Sequence, residues 1–443
     1  MSRATDISER VLSLVADRAD AEVVASHTQL SLTRFANSFI HQNVAEEGDA
    51  VSLRVAVAGR VASATTTATD PDALASFVEN TLQTAALQPT DIDWPGVGEP
   101  VGFPNVEHVD DETYDAPPAL RAKLVKAFVD SGKGMLAAGF CQTEGRTVAF
   151  GNTAGRFVER RESSAIIDGI QQTGTSAGSG HAASVAIANL DGKAVGAVAA
   201  QRAVDGVAPF DTKPGVYEAV LAPEAVGTIA VFLGFYGFNG KMFSEGQSFA
   251  KINTRQFDER FSVWDDATDP RALGVPFDAE GTPKRRVDLV SNGTTAAVAH
   301  DRRTARKLGT ISTGHHLSDS DSWGPIPTNL FIAGGDYTVD ELIGHIDRGI
   351  YVSTFNYCRV LDPKTLVVTG LTRNGTFMIE NGRITGALNN LRFTQSFVDA
   401  LGEGHLLGSA DDARLADSEF GPGITFVPTL HLSSWNFTGG ADG

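Results

Sequence analysis

Short apolar runs ending in Asn-Gly pairs recur in the C-terminal half of this chain: Leu289-Val290-Ser291-Asn292-Gly293, Leu371-Thr372-Arg373-Asn374-Gly375 and Ile379-Glu380-Asn381-Gly382-Arg383-Ile384. A type I′ turn needs positive φ at both central residues, and Asn followed by Gly adopts it at least cost, so the pairs predict hairpins. The expected consequence is a β-rich C-terminal domain, barrel- or sandwich-like, with few helices. One helix is marked there, because Thr338-Val339-Asp340-Glu341 forms a capping box ahead of Leu342, Ile343 and Ile346.

The N-terminal half mixes periods. Val11, Leu12 and Val15 recur at helical spacing within 7–19, while 21–32 and 51–64 alternate at period two, the second stretch turning at Ala58-Gly59-Arg60. Asp70 and Pro71 open a helix whose buried stripe is Leu74, Phe77, Val78 and Leu82. Pro89, Pro95, Pro100, Pro104, Pro117 and Pro118, with the acidic patch Asp110, Asp111 and Glu112, mark an irregular connection and a boundary. A helix over 118–131, a strand pair over 140–150 turned at Glu144-Gly145-Arg146, a Gly/Ser/Thr-rich loop over 169–180 and a helix over 193–204 follow. The segment 209–215 is the next joint. The predicted class is α+β: an N-terminal α+β domain over 1–110, a middle α+β domain over 111–210 and the β-rich domain over 211–443.

Composition excludes several functions. At 443 residues, 42% hydrophobic and 20% charged, the chain has the make-up of a soluble globular protein with room for two or three cores. A net charge of −18 argues against sequence-independent binding of nucleic acid or an anionic membrane, both of which call for a basic surface. The N-terminus lacks the apolar core of a signal peptide and no run of about 18 apolar residues occurs, so a cytoplasmic protein without a membrane span is expected. Cys141 and Cys358 fit a reducing compartment and match no paired-zinc spacing.

The stretch Leu221-Ala222-Pro223-Glu224-Ala225-Val226-Gly227-Thr228 reads like a zinc-binding helix that has lost its histidines. Such a site needs imidazoles on one helix face and a glutamate to activate the metal-bound water. Only the glutamate is here. Proline is tolerated in a first helical turn, and a carboxylate there is favoured by the helix dipole by roughly 0.3 to 1 kcal/mol, so Pro223 and Glu224 also make a good helix start.

Five further segments occur in order: 34–43 (RFANSFIHQN), 151–155 (GNTAG), 300–305 (HDRRTA), 349–352 (GIYV) and 379–384 (IENGRI). With the 221–228 stretch they resemble the TldD/PmbA family over nearly the whole chain. Active members carry His-Glu-x-x-x-His; on that pattern Pro223 takes the first histidine's place, Glu224 matches and Thr228 takes the second's. Active members also supply a cysteine ligand from a glycine-rich segment near the C-terminus, and the comparable stretch, 417–423, has none. The resemblance implies a PmbA (TldE)-like subunit with no catalytic residue, metal or cofactor of its own, partnered by a zinc-bearing TldD-like chain in a cytosolic peptidase. Its substrates would be unfolded or modified peptides, with neither nucleic acid nor membrane as a partner. An extended peptide could add to an open sheet edge through main-chain hydrogen bonds.

Rival sites carry less. Gly174-Thr175-Ser176-Ala177-Gly178 matches the nucleophile elbow Gly-x-Ser-x-Gly, but no long helical stripe follows it, and a flexible loop accounts for it. His315 and His316 with Asp319 and Asp321 offer metal donors, the basis of an alternative reading as an autonomous hydrolase, although adjacent histidines diverge and a solvated loop is expected. A homo-oligomeric peptide-binding scaffold is the other alternative. His41 in a strand and His181 in a glycine-rich loop are expected to be structural or exposed. Gly234-Phe235-Tyr236-Gly237-Phe238-Asn239-Gly240-Lys241 has the wrong glycine spacing for a phosphate loop and is expected to pack behind the altered helix or line a cavity.

Overall fold

The computed structural model describes residues 1–318, 322–421 and 423–440. The hydroxyl of Ser2 accepts from the Thr5 N–H at 3.1 Å and starts α1 (Arg3–Val15). Three antiparallel strands follow, β1 (Asp20–Ala36), β2 (Phe39–Val57) and β3 (Arg60–Thr66), then α2 (Pro71–Leu87), capped by Asp70 as the sequence predicts. Ile7, Val11 and Val15 of α1 and Leu74, Val78 and Leu82 of α2 bury against Val23, Leu53 and Val55 of the sheet. The 34–43 segment is a hairpin tip and not one strand: Asn37 and Ser38 take φ of 50° and 65° between β1 and β2.

The next unit comprises α3 (Asp111–Tyr114), α4 (Pro118–Ser131), β4 (Leu136–Asn152), β5 (Phe157–Gln172), β6 (Ala177–Ser184) and α5 (Gly192–Asp205). β1 pairs with β4 from Glu22↔Asn152 to Phe35↔Gly139, so both N-terminal units share one six-stranded sheet in the order β3-β2-β1-β4-β5-β6. Two cores sit on that sheet, the second built on Phe35, Phe128, Ile167, Ile187 and Ala199.

Two glycine-rich stretches are strand where turns or loops are expected. The predicted turn at Gly145 is absent because β4 runs straight through it; a Cβ there would lie 2.6 Å from the Tyr114 ring, which packs on the bare backbone. The predicted loop over 169–180 is a β5–β6 hairpin turned over 173–176. Side chains at Gly178 and Gly180 would collide with the Ala199 and Val195 carbonyls, so the glycines let α5 lie directly on β6.

The C-terminal half supplies β7 (Gly215–Leu221), α6 (Pro223–Phe232), α7 (Gly240–Ser244), β8 (Thr254–Arg255), β9 (Val263–Asp265), β10 (Val287–Ser291), β11 (Thr294–Thr295) and α8 (Arg302–Leu308). It continues through β12 (Leu330–Ile332), α9 (Val339–Gly344), β13 (Arg348–Asp362), β14 (Val367–Glu380), β15 (Arg383–Ala387), β16 (Leu391–Ser396) and α10 (Phe397–Ala400). β17 (Leu406–Ser409), β18 (Arg414–Ala416), β19 (Thr425–Val427) and β20 (Leu430–Gly440) complete it. The order β13-β7-β20-β16-β14 closes on itself through β13–β14 pairing, giving a five-stranded barrel. Phe355, Phe393, Phe397 and Trp435 are buried in its core. A second sheet, β18-β19-β12-β9-β10-β11-β8, packs on α6.

Asn292-Gly293 and Asn381-Gly382 form the expected turns, each with positive φ at both residues. Asn374-Gly375 does not. The pair forms a bulge inside β14, two residues set opposite Ser353 of β13, whose side chain occupies the space a Cβ on Gly375 would need. The Thr338–Glu341 capping box is present at the start of α9. No helix among the described residues is long and apolar enough to cross a membrane.

Candidate functional site

β7 delivers the chain into α6, where the Ala222 N–H donates to the Val352 carbonyl at 3.0 Å and Pro223 occupies the first turn. All ten residues of α6 are buried. At Gly227 a Cβ would stand 2.8 Å from the Asp417 carbonyl oxygen, so glycine is what lets the segment after β18 lie against the helix. The Thr228 hydroxyl closes the same contact, donating to the Glu224 carbonyl at 3.3 Å and accepting from the Glu419 N–H at 3.2 Å. Glu224 Oε1 accepts from Arg414 Nη2 at 2.6 Å, while Oε2 is buried without a hydrogen-bond partner.

The carboxylate faces a part-enclosed cavity of about 270 Å³ between the middle sheet and the barrel, lined by Asp168, His181, Arg202, Glu224, Asp417 and Glu419 among others. Asp168 and His181 face each other across the β5–β6 ladder, with His181 Nδ1 3.3 Å from Asp168 Oδ2. Arg202 comes from α5 and donates to the Ser179 carbonyl at 2.9 Å. Burial opposes ionisation of Glu224, but Arg414, then Arg202 and His181, outweigh it and hold the carboxyl below its ordinary range. Asp417 goes the other way: burial raises it, the Asp168 and Glu224 charges add, and His181 only partly offsets them.

The family model for the PmbA/TldA metallopeptidase C-terminal domain matches residues 214–439, more than half of the chain. The chain belongs to the PmbA/TldD family. Among curated relatives, the metalloprotease TldD homolog of Buchnera aphidicola (subsp. Acyrthosiphon pisum) is 27% identical over 236 residues, 52% of this chain and 44% of that protein. Metalloprotease MJ0996 of Methanocaldococcus jannaschii is 26% identical over 192 residues, 42% of each chain. The matched part thus spans less than half the length of these relatives. The solved structure of TldE from Thermococcus kodakarensis superposes with a TM-score of 0.84 at 18% identity, covering 99% of both chains, which shows a common fold.

Zinc is the metal this family implies, and the donors around α6 do not suit it. Pro223 has no donor atom, the Thr228 hydroxyl is committed to two backbone groups, and one oxygen of Glu224 is held by a guanidinium. Among the described residues, no group of three or more His, Cys, Asp or Glu side chains is placed to hold a metal ion. Asp417 and Glu419 of the 417–423 stretch do lie against α6, which is where the family pattern expects the third ligand to come from, and the stretch contains no cysteine.

The remaining candidates resolve individually. His315 and His316 are not in a solvated loop; both are buried, at 0% and 3% exposure. His315 sits between Asp265, 2.8 Å from Nε2, and the Thr313 hydroxyl, 2.8 Å from Nδ1, while His316 faces Asp301, Glu280 and Arg54 of the N-terminal sheet. Asp319 and Asp321 lie outside the described residues. Ser176 is in a strand-to-strand turn with its hydroxyl donated to the Ala203 carbonyl, so Gly-x-Ser-x-Gly is no elbow here. The 234–241 segment packs behind α6, Phe235 stacking on Phe420 and meeting Trp323 edge-on. Cys141 and Cys358 are buried thiols, Cys141 pushed up to about 12 by burial.

Sequence reading missed Arg414, Arg202 and the Asp168–His181 pair. The pair had a readable signal, since Asp168 and His181 flank the Thr173–Ser176 turn at a spacing that a hairpin places opposite one another. Reading 169–180 as a loop concealed it.

Proposed function

We propose that this chain is the non-catalytic subunit of a two-chain, cytoplasmic TldD/PmbA-type zinc metallopeptidase that processes unfolded or modified peptides alongside a zinc-bearing TldD-like partner. The observation that carries the reading is the Arg414–Glu224 ion pair: the one surviving residue of the zinc pattern is neutralised by a guanidinium, with Pro223 and Thr228 at its sides. A glutamate held ionised by a cation of the protein has no metal-bound water to deprotonate. The likeness to the solved TldE fold and to proteins named TldD supports a two-chain assembly.

A place for an extended peptide or partner strand is available. β3 covers only Val51–Val57 of β2, so the stretch from Phe39 to Ala50 has no outer neighbour among the described residues. Such an edge can pair with another chain with little dependence on its sequence.

The test is metal analysis and peptidase assay of the isolated chain, repeated after mixing with a relative that has histidine at both altered positions. No stoichiometric zinc and no cleavage alone, with cleavage by the mixture exceeding that of the relative alone, is the expected result. One zinc per isolated chain with hydrolysis abolished by Glu224→Gln would overturn the reading, as would recovery of identical chains only from the native cell.

A further inference from the structure

β2 is only half covered along its outer side. β3 pairs with Val51 to Val57, and the lane beside Phe39 to Ala50 holds no strand among the described residues. Thr66 of β3 bounds the lane at one end and the Asn37-Ser38 turn bounds it at the other. Every residue from Phe39 to Ala50 except Val44 and Asp49 is exposed, Phe39 at 58% and Ile40 at 39%. Open edges are normally blunted by lysine, proline or an inward charge, and 39–45 (FIHQNVA) has no lysine, proline or carboxylate.

The β2–β3 turn fixes which main-chain groups point into this lane. Ala58 and Gly59, with φ of 49° and 74°, make a two-residue turn, so Val57 and Arg60 exchange both of their hydrogen bonds. Alternate residues of an antiparallel strand turn their N–H and C=O to the same side, and β2 runs from Gln42 to Val57 without a bulge. Asn43, Ala45, Glu47 and Asp49 therefore present theirs to the open lane. Two copies of one strand paired antiparallel are related by a two-fold axis normal to the sheet, so one residue faces its own copy. Centred on Val44, the pairing runs from Phe39 opposite Asp49 and stops short of Val51, where β3 begins. A centre at Ala45 drives Phe39 against Val51, whose outer side Thr66 already fills. The Val44 centre sets His41 opposite Glu47 and Gln42 opposite Glu46, and opposes no like charges. Val44 itself lies opposite Leu32 of β1, so the axis joins Leu32 and Val44 to their copies in one apolar row.

We propose that two copies of this chain pair antiparallel through their β2 edges, centred on Val44, and so join their six-stranded sheets into one. The surface is self-complementary in hydrogen bonding, in length and in charge, which is what a two-fold contact requires. The cavity beside α6 stands on β5 and β6, at the far side of the sheet from β2, so the pairing does not cover it and does not depend on the peptidase reading.

Sedimentation velocity of the isolated full-length chain over a concentration series should show a reversible dimer. Ala45→Pro removes an N–H that points into the open lane, a position where an edge strand tolerates proline, and should raise the dimer dissociation constant about tenfold or more in a chain shown to be folded by circular dichroism. Cys141 and Cys358 are buried, so a thiol introduced at the surface is the one that reacts. Val44→Cys chains should join through a disulfide on mild oxidation, since facing residues of a non-hydrogen-bonded antiparallel pair stand about 4.5 Å apart at Cα. Ser63→Cys, exposed on β3, should not cross-link. If Ala45→Pro fails to fold, the two cysteine variants decide. A chain that is monomeric throughout the series, whatever peptide or partner takes the edge instead, overturns the inference, as does a dimer that folded Ala45→Pro leaves intact or cross-linking at Ser63 in preference to Val44. Neither zinc nor partner is present, so such a failure leaves the subunit reading standing, and a dimer that never supports a partner fails only that reading.

Discussion

Arg414 Nη2 lies 2.6 Å from Glu224 Oε1, joining β18 to the first turn of α6 across 190 residues of sequence. The carboxylate is buried and the guanidinium about one-third exposed, so the pair is held together more by the cost of separating it than by net attraction. Arg414→Ala should therefore destabilise the chain by about 3 kcal/mol, the lower end for a broken buried pair, read as a fall in the urea midpoint. Adding Glu224→Gln to that variant should recover a large part of the loss, because no uncompensated charge remains. An Arg414→Ala chain as stable as the parent would show that the pair does not secure α6.

A second buried ionic cluster joins the N-terminal sheet to the C-terminal half and gives stability a defined pH dependence. Arg54 reaches Glu22, Glu280 and His316, and Arg302 reaches Glu22. Burial, with Glu280 adding and Arg54 opposing, raises Glu22 to about 7, and burial with Glu280 raises Asp278 to about 6. His316 is opposed by burial and Arg54, but Glu280, Asp301 and Asp278 raise it above 6.5. Carboxyls raised on folding keep protons that the unfolded chain has lost, so stability falls as pH rises from about 4.5 to about 7 for Glu22. His316 has the same sign, its contribution being complete below 6.5 and lost as pH rises through the raised value. Asp301, held at about 2 against burial by His316 and Thr304, acts oppositely and its contribution is lost only as pH falls from 3.8 through that value. Melting temperature at fixed ionic strength should decline from weakly acid to neutral pH, and Glu22→Gln should flatten the decline. A parent profile that rises over that interval would refute the assignment.

Much of this fold is legible in the sequence where one local rule decides the outcome. Asp70 before Pro71, the Thr338–Glu341 box and the Asn292-Gly293 and Asn381-Gly382 turns need no tertiary information, and all stand as expected. The misplaced turns and loop share one cause: a glycine signals a turn locally, but tertiary contact can require it for close approach. Gly145 under Tyr114, Gly178 and Gly180 under α5 and Gly375 beside Ser353 are all of this kind. At the site, Pro223, Glu224 and Thr228 are placed by the resemblance to the family's His-Glu-x-x-x-His pattern, whereas Arg414 and His181 come from strands distant in sequence and only the closed structure brings them to α6.

The contact of α5 with β6 gives a direct check on that account of the glycines. A Cβ at Gly180 would collide with the Val195 carbonyl, which is backbone and cannot swing aside. Gly180→Ala should cost about 1–3 kcal/mol, as overpacking does, and also shift Arg202 and His181, which sit at the same seam. Gly174→Ala, where a Cβ meets nothing within 4 Å, should be close to neutral. Chemical denaturation of the two variants separates them, and equal stability would mean that the strand reading of 177–184 is wrong.

Restoring the two histidines should not restore a zinc site. Pro223→His with Thr228→His supplies two imidazoles on α6, but the Arg414 guanidinium still sits on Glu224, and the segment crossing α6 at Glu419 brings no thiolate. Zinc sites of this class need three protein ligands and a neighbourhood free of competing cations. The double variant, treated with a weak chelator and analysed for metal, should retain well under one equivalent of zinc and cleave no peptide. Adding Arg414→Gln removes the competing charge and should raise zinc retention relative to the double variant, still without a third ligand. Full zinc occupancy and hydrolysis in the double variant would show that the two substitutions alone separate this chain from an active peptidase.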